Sequence, residues 1–360
     1  MSERSGFPGG SRGQGPTPAP VASSQNTAGQ EVSTELPAEI AGADGVADEK
    51  RRRARARTAE RRDRMVDAGV AELARWLRDQ VAHGLAGAER APHALWDEAA
   101  RRLVDAQGPA LADPVRELAA VPGTGEHWPS RLLEEYGLLH LLVRAHGRRE
   151  ELPPGLRATV RTRVGFTAAR EEVLAGPHVR DDWYVLGVRE SERDGLRTRR
   201  TWLRGLSTGR PALVLAYGTS SRPLDPLDLR PGTAVDASLA FHPDAPPLRA
   251  VPATLHAPPR TAPPPGSTVL ELLDEHAAAL AQDPWLDRWP AALSSVRLAR
   301  SDGLHLIDTA GDALPLRTPA PWRLLSFSGG APLTLAGEWT PSGLRPLSAW
   351  HPTEGLVTLP

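Results

Sequence analysis

The sequence predicts an α+β protein: an N-terminal all-α helical unit followed by antiparallel β-sheet or small-barrel regions, with a disordered N-terminal tail. Three observations predict it. Apolar residues recur at steps of three and four between residues 66 and 164, which is the helical period. Beyond Pro177 the period falls to two, as in strands. The first 48 residues hold almost no large apolar side chains, so no burial offsets the entropy of ordering them.

The tail, 1–48, is rich in Gly, Pro and Ser and carries six acids against two arginines, then meets an abrupt run of cations. The segment 49–176 reads as a helical domain with a basic first helix. Val66, Val70, Leu73, Trp76, Leu77, Val81 and Leu85 line one face of that helix, which stops near Gly84. Leu95, Ala99, Leu103 and Val104 mark a second helix. Val115, Leu118 and Val121, behind Pro114, mark a short third. A fourth, from about Ser130, carries Leu132, Leu133, Tyr136, Leu139, Leu142 and Val143 over a wide face suited to a bundle centre. Leu156, Val160 and Val164 follow Pro153 and Pro154 as a fifth.

Residues 177–255 read as an antiparallel β region. Trp183 to Val188 and Leu196 to Leu203 pair across Asp194-Gly195, a polar turn from Ser207 leads to Ala212–Tyr217, and Ser238–Phe241 adds a strand, in the order of a meander. Residues 256–267, with five prolines between Pro258 and Pro265, read as a linker in extended geometry. The last region, 268–360, begins with a helix at Val269–Leu280 ended by Pro284. A hairpin at Asp302-Gly303 follows, with strands at Trp322–Phe327, Leu333–Trp339 and Leu356–Leu359 that form a small barrel. No internal repeat at a fixed period is visible.

Composition narrows the chemistry. With no cysteine there is no disulfide, thiolate nucleophile or Cys-containing zinc site in this chain. The single lysine, Lys50, lies in a polar arm, which argues against phosphate loops, kinases and Schiff-base enzymes, all of which need a lysine in a folded site. A formal net charge of -1 gives no overall field toward nucleic acid or lipid. No apolar stretch is long enough to span a bilayer, and no leader follows Met1, so the expected location is cytoplasmic, without membrane partners.

The residues that could bind a partner or nucleic acid are Lys50, Arg51, Arg52, Arg53, Arg55, Arg57, Arg61, Arg62 and Arg64, nine cations against two acids. The same run also suits a solvated helix start, and no aromatic side chain interrupts it to stack on bases. The eleven histidines form no metal-spaced pair. His140, among leucines on the fourth helix, reads as a buried, hydrogen-bonded core histidine. No nucleophile elbow appears. Ser326-Phe-Ser-Gly-Gly reads as a strand turn, and the acid pairs Glu134-Glu135 and Asp181-Asp182 as solvated positions. Of the ten tryptophans, Trp183, Trp202, Trp322 and Trp339 read as strand-packing residues, while Trp285 and Trp289, around Pro284, close the last helix onto the sheet.

Five segments, Gly69-Val-Ala-Glu-Leu-Ala-Arg-Trp-Leu-Arg-Asp, Arg102-Leu-Val-Asp-Ala-Gln, Gly137-Leu-Leu-His-Leu-Leu, Thr159-Val-Arg-Thr-Arg-Val-Gly and Thr208-Gly-Arg-Pro-Ala-Leu-Val-Leu, together resemble the region that follows the zinc finger in bacterial SWIM zinc-finger proteins. The resemblance implies a nucleic-acid or protein interaction module. The family's C-x-C…C-x-H finger has no counterpart among these residues. The cofactor expectation is therefore none, with zinc only if a cysteine-containing finger lies upstream of Met1. The leading functional expectation is a non-catalytic interaction or adaptor protein with a protein partner. Nucleic-acid association through the basic helix is the alternative, and an enzyme with an unrecognised site comes third. The oligomeric state is not legible.

Overall fold

A computed structural model describes residues 38–90, 93–106, 108–193, 195–219 and 229–359. The chain forms two units, residues 1–57 and 58–360. In the first unit every described residue lies in helix α1 (Ala38–His83), which opens inside the stretch read as a tail; residues 1–37 lie outside the described residues.

In the second unit, the rest of α1 packs with α2 (His93–Asp105), α3 (Pro109–Glu117), α4 (Trp128–Gly147), α5 (Pro154–Arg163) and the short α6 (Arg170–Leu174). The predicted periodicity places Val66, Val70, Leu73, Trp76 and Leu77 in one core with Trp96, Leu103, Leu111, Leu132 and Tyr136. Trp76 sits edge-on to both Trp96 and Tyr136, each with centroids 5.8 Å away. Gly69 allows α1 to approach the start of α3 closely: a Cβ there would lie 3.3 Å from the Gly108 Cα. The third helix begins at Pro109 and contains Pro114, instead of following it. Proline at the first helical position gives up only an N–H that had no partner there.

The β region is two barrels with one topology. In the first, β1 (His178–Arg193), β2 (Leu196–Gly205), β3 (Pro211–Gly218), β4 (Thr233–Phe241) and β5 (Arg249–Leu255) follow the order β1-β2-β3-β5-β4, and β4 returns to β1. The long β1 makes closure possible, because residues 178–184 pair with β4 while residues 183–193 pair with β2. This corrects the expected meander: β3 and β5 pair in parallel through Leu213–Arg249 and Val214–Ala250.

The second barrel repeats the plan with β7 (Trp289–Ser301), β8 (Gly303–Ile307), β9 (Ala313–Pro315), β10 (Leu333–Thr340) and β11 (Gly343–His351); β6 (Arg260–Thr261) precedes it and pairs with β4. Residues 289–296 of β7 pair with β10 and residues 297–301 with β8. A parallel bridge between Leu316 and Leu344 brings the end of β9 beside β11, reinforced by the Arg317 N–H donating to the Leu344 carbonyl at 2.7 Å. The strand β12 (Gly355–Thr358) then adds to β11. The chain thus contains a structural repeat that its sequence does not display.

The interior of the first barrel holds Trp183, Val185, Leu203, Val214, Val235 and Leu239. The alternate residues Tyr184, Leu186 and Trp202 belong to a larger core shared with the second barrel and with α7 (Val269–Leu280). The β1 strand is therefore buried on both faces, which explains why Trp183 to Val188 reads as an unbroken apolar run. Gly187 permits this contact, since a Cβ there would lie 2.4 Å from that of Leu347. Ser348 donates to the Leu186 carbonyl at 2.6 Å, and Trp202 Nε1 donates to Glu338 at 2.8 Å.

Three further expectations change. The Pro-rich stretch supplies β6 to the first barrel and buried Ala262 to the core that the two barrels share. Trp322–Phe327 is not a strand but most of helix α8 (Pro321–Ser328), with proline at its start and Gly329 in the left-handed conformation (φ 53°) at its end. Trp322 consequently stands 72% exposed. Trp285 closes onto the helical core, donating to the Leu138 carbonyl at 2.8 Å, while Trp289 opens β7.

Candidate nucleic-acid interface

The basic run lies wholly on α1. In the first unit, Lys50, Arg53 and Arg57 recur at three and four residues, which places them on one helical face, and all three are exposed. Of Arg51, Arg52 and Arg55 only the helical backbone is described. Arg53 pairs with Glu49 at 2.9 Å; both side chains are solvated, so the pair contributes only about 0.3–0.5 kcal/mol.

In the second unit the remaining cations divide. Arg62 is tied to the fold: its Nη2 donates to the Gly165 carbonyl at 2.8 Å, and its guanidinium lies 5.4 Å from the Phe166 ring, which also receives Arg161 at 4.4 Å. Arg64 Nε reaches the Glu60 carbonyl at 3.4 Å. Arg61 is exposed and, with Arg62, Met65 and Pro109, edges a cleft of about 380 Å³. The run is therefore not one uniform surface, because Arg62 is committed internally through a contact 103 residues away that its spacing gave no means of finding.

Other sequence candidates settle differently. His140 is exposed, because at the fourth helix's actual phase Leu139 and Leu142 turn inward instead. The buried histidine is His146, whose Nε2 lies 2.7 Å from Asp67 on α1. Asp181 is buried, not solvated, and organises the β2–β3 turn. It accepts from Ser207 N–H (3.0 Å), Thr208 N–H (2.9 Å) and the Thr208 hydroxyl (2.7 Å). Burial alone would raise its carboxyl, but these hydrogen bonds offset that and hold it below the ordinary value. Asp182 pairs with Arg260 at 2.7 Å, and Glu135 is pushed upward, mainly by burial. Ser326 and Ser328 lie on α8, where Ser328 donates to the Leu325 carbonyl at 2.9 Å.

Among the described residues, no group of three or more His, Asp or Glu could hold a metal ion, and no helix is long and apolar enough to cross a membrane. Sequence reasoning missed a concave site altogether. It lies where α5, the first barrel and the α7–β7 connection meet, and Arg163, Arg200, Arg249 and Arg288 line it from four separate parts of the chain.

Residues 61–164 match the family model of the SWIM-associated four-helix bundle domain. The match runs from Arg61 on α1 through α5, so the resemblance read from the dispersed segments holds for the helical part of the chain. No curated protein and no solved structure matches. With no cysteine in its 360 residues, the chain holds none of the finger's cysteine ligands.

Proposed function

We propose that this chain, which carries a SWIM-associated four-helix bundle domain at residues 61–164, is a non-catalytic interaction protein that grips nucleic-acid phosphates through residues 50–57 of α1. The observation that carries the reading is charge density. Six cations and no acid occupy eight residues of helix, a length of roughly 12 Å at ~1.5 Å per residue, or about one charge per 2 Å. Duplex DNA presents one negative charge per ~1.7 Å of axis. The exposure of Arg53, Ala54, Ala56 and Arg57 supports an accessible contact face. With no aromatic side chain in the run, binding is read as sequence-tolerant, through phosphates and not bases.

The test is fluorescence anisotropy with a duplex oligonucleotide across a salt series. If three cations reach phosphates, log K falls with log salt at a slope near −2.7, which is roughly fortyfold between 50 and 200 mM. Arg53→Ala combined with Arg57→Ala removes about two units of that slope and leaves the melting temperature unchanged. No binding at low salt, or binding indifferent to salt, would refute the reading.

A second reading, a protein adaptor, is favoured by α4, where Leu133 and Leu141, two turns apart, are 55% and 42% exposed. Cross-linking in lysate would then capture a partner that the double variant Leu133→Lys, Leu141→Lys loses; identical capture by both proteins would remove this reading.

A further inference from the structure

The arginine-lined cavity has a volume of about 220 Å³, space for roughly seven waters at ~30 Å³ each. Its walls are largely apolar, with Trp202, Leu213, Leu248 and Leu286 among them. Its charges do not cancel locally. Arg163 is paired with Asp283 at 2.8 Å, and Arg288 with Asp287 at 2.9 Å. The remaining cavity acid, Asp244, accepts from the Thr162 hydroxyl at 2.9 Å.

Arg200 and Arg249 have no such partner. Among the described residues neither guanidinium makes a hydrogen bond or an ion pair, and the Nε of each is shut away from solvent. Beside them, Arg189 has a buried Nη1 in the same condition. Two carboxylates, Asp287 and Glu338, face Arg200; Glu338 is fully buried and accepts from Trp202 Nε1, while its second oxygen has no hydrogen bond among the described residues and lies 3.9 Å from Arg288. Burial first, then repulsion from Arg288 and, more weakly, from Arg345, disfavours the charged form of Arg200, against the attraction of Glu338 and Asp287.

A guanidinium cannot escape such a setting by losing its proton, because its intrinsic pKa is too high. A half-buried cluster of this kind needs negative charge from outside the chain, and the cavity is where that charge can enter. The planar fork of arginine matches the oxygens of a carboxylate or phosphate, and the apolar walls suit a compact organic body.

We infer that this cavity is a binding site for a small organic oxyanion, a phosphate ester or a carboxylate, whose charge is balanced by the guanidinium groups of Arg200 and Arg249 while its body lies against Trp202, Leu213 and Leu248. The site is separate from the basic segment of α1 and stands or falls independently of it.

Calorimetric titration of the full chain in low-chloride buffer tests the inference, with inorganic phosphate and benzoate as probes and potassium chloride as the control. Saturable one-site binding of phosphate alone identifies the phosphate-ester class, and of benzoate alone the carboxylate class; binding of both supports an oxyanion site without preference. Arg200→Met should weaken that binding about tenfold or more, the expected loss of a charge-assisted contact. It should leave the ligand-free protein at least as stable, since an uncompensated buried charge has been removed. Should that variant fail to fold, Arg249→Met provides the same comparison. The inference is overturned if neither probe saturates into the millimolar range, if chloride competes equally, or if the folded variants bind as the parent does.

Discussion

Replacing Asp181 with alanine tests how the first barrel is closed at one end. The carboxylate gathers two backbone N–H groups and one hydroxyl of the β2–β3 turn at 2.7–3.0 Å, and Gly205 lacks a side chain because a Cβ there would lie 2.3 Å from the Asp181 carboxylate. Hydrogen bonds to a charged group contribute ~1.5–3 kcal/mol each, but Ser207 and Thr208 are exposed, so water recovers part of the loss. Asp181→Ala should therefore cost about 2–4 kcal/mol, read by urea unfolding as a lower midpoint at unchanged slope. For a unit of this size that corresponds to roughly 3–6 °C in melting temperature. Asp181→Asn, which keeps an acceptor, should cost about half.

The pH dependence of Asp181 has a definite sign. Its carboxyl is held low in the folded protein, so its stabilisation is complete above the ordinary carboxylate value of 3.8 and is lost as pH falls through the lower folded value. The stability gap between parent and Asp181→Ala should be constant from neutral pH to about pH 5, then close in more acidic solution. A gap below ~0.5 kcal/mol at neutral pH, or one that widens in acid, would refute the claim that this carboxylate organises the turn.

Gly187→Ala should destabilise by about 1–3 kcal/mol or more, measured by thermal melting, because the new methyl group meets Leu347 across the two barrels. Leu73→Ala, at a fully buried site in the helical core, should cost ~2–5 kcal/mol in chemical denaturation. Trp202→Phe removes the donor to a fully buried Glu338 oxygen and should cost roughly 1–3 kcal/mol. The more conservative-looking of two aromatic changes is thus the harmful one, since Trp322→Ser on exposed α8 should leave the melting temperature nearly unchanged.

The sequence alone determined the α+β class, the helical unit with its apolar faces, the helix at Val269–Leu280 and the hairpin at Asp302-Gly303. These are local properties: a side-chain period, a capping box from Thr268 to Glu271 and a turn dipeptide all act within a few residues. Pro321 and left-handed Gly329 bound α8 as local helix-end signals do, but the strand reading of Trp322–Phe327 rests on its apolar run and takes no account of them.

Tertiary structure decided the rest. Barrel closure depends on β1 pairing with two strands and on parallel contacts between segments some 30 residues apart, which no local period encodes. The burial of Asp181, the inward His146 and the commitment of Arg62 follow from partners distant in the chain. The same holds for the arginine cavity, whose four cations come from α5, β2, β5 and the segment before β7. A run of arginines is visible in sequence because its charges are neighbours; a pocket of arginines is not, because only folding brings its charges together.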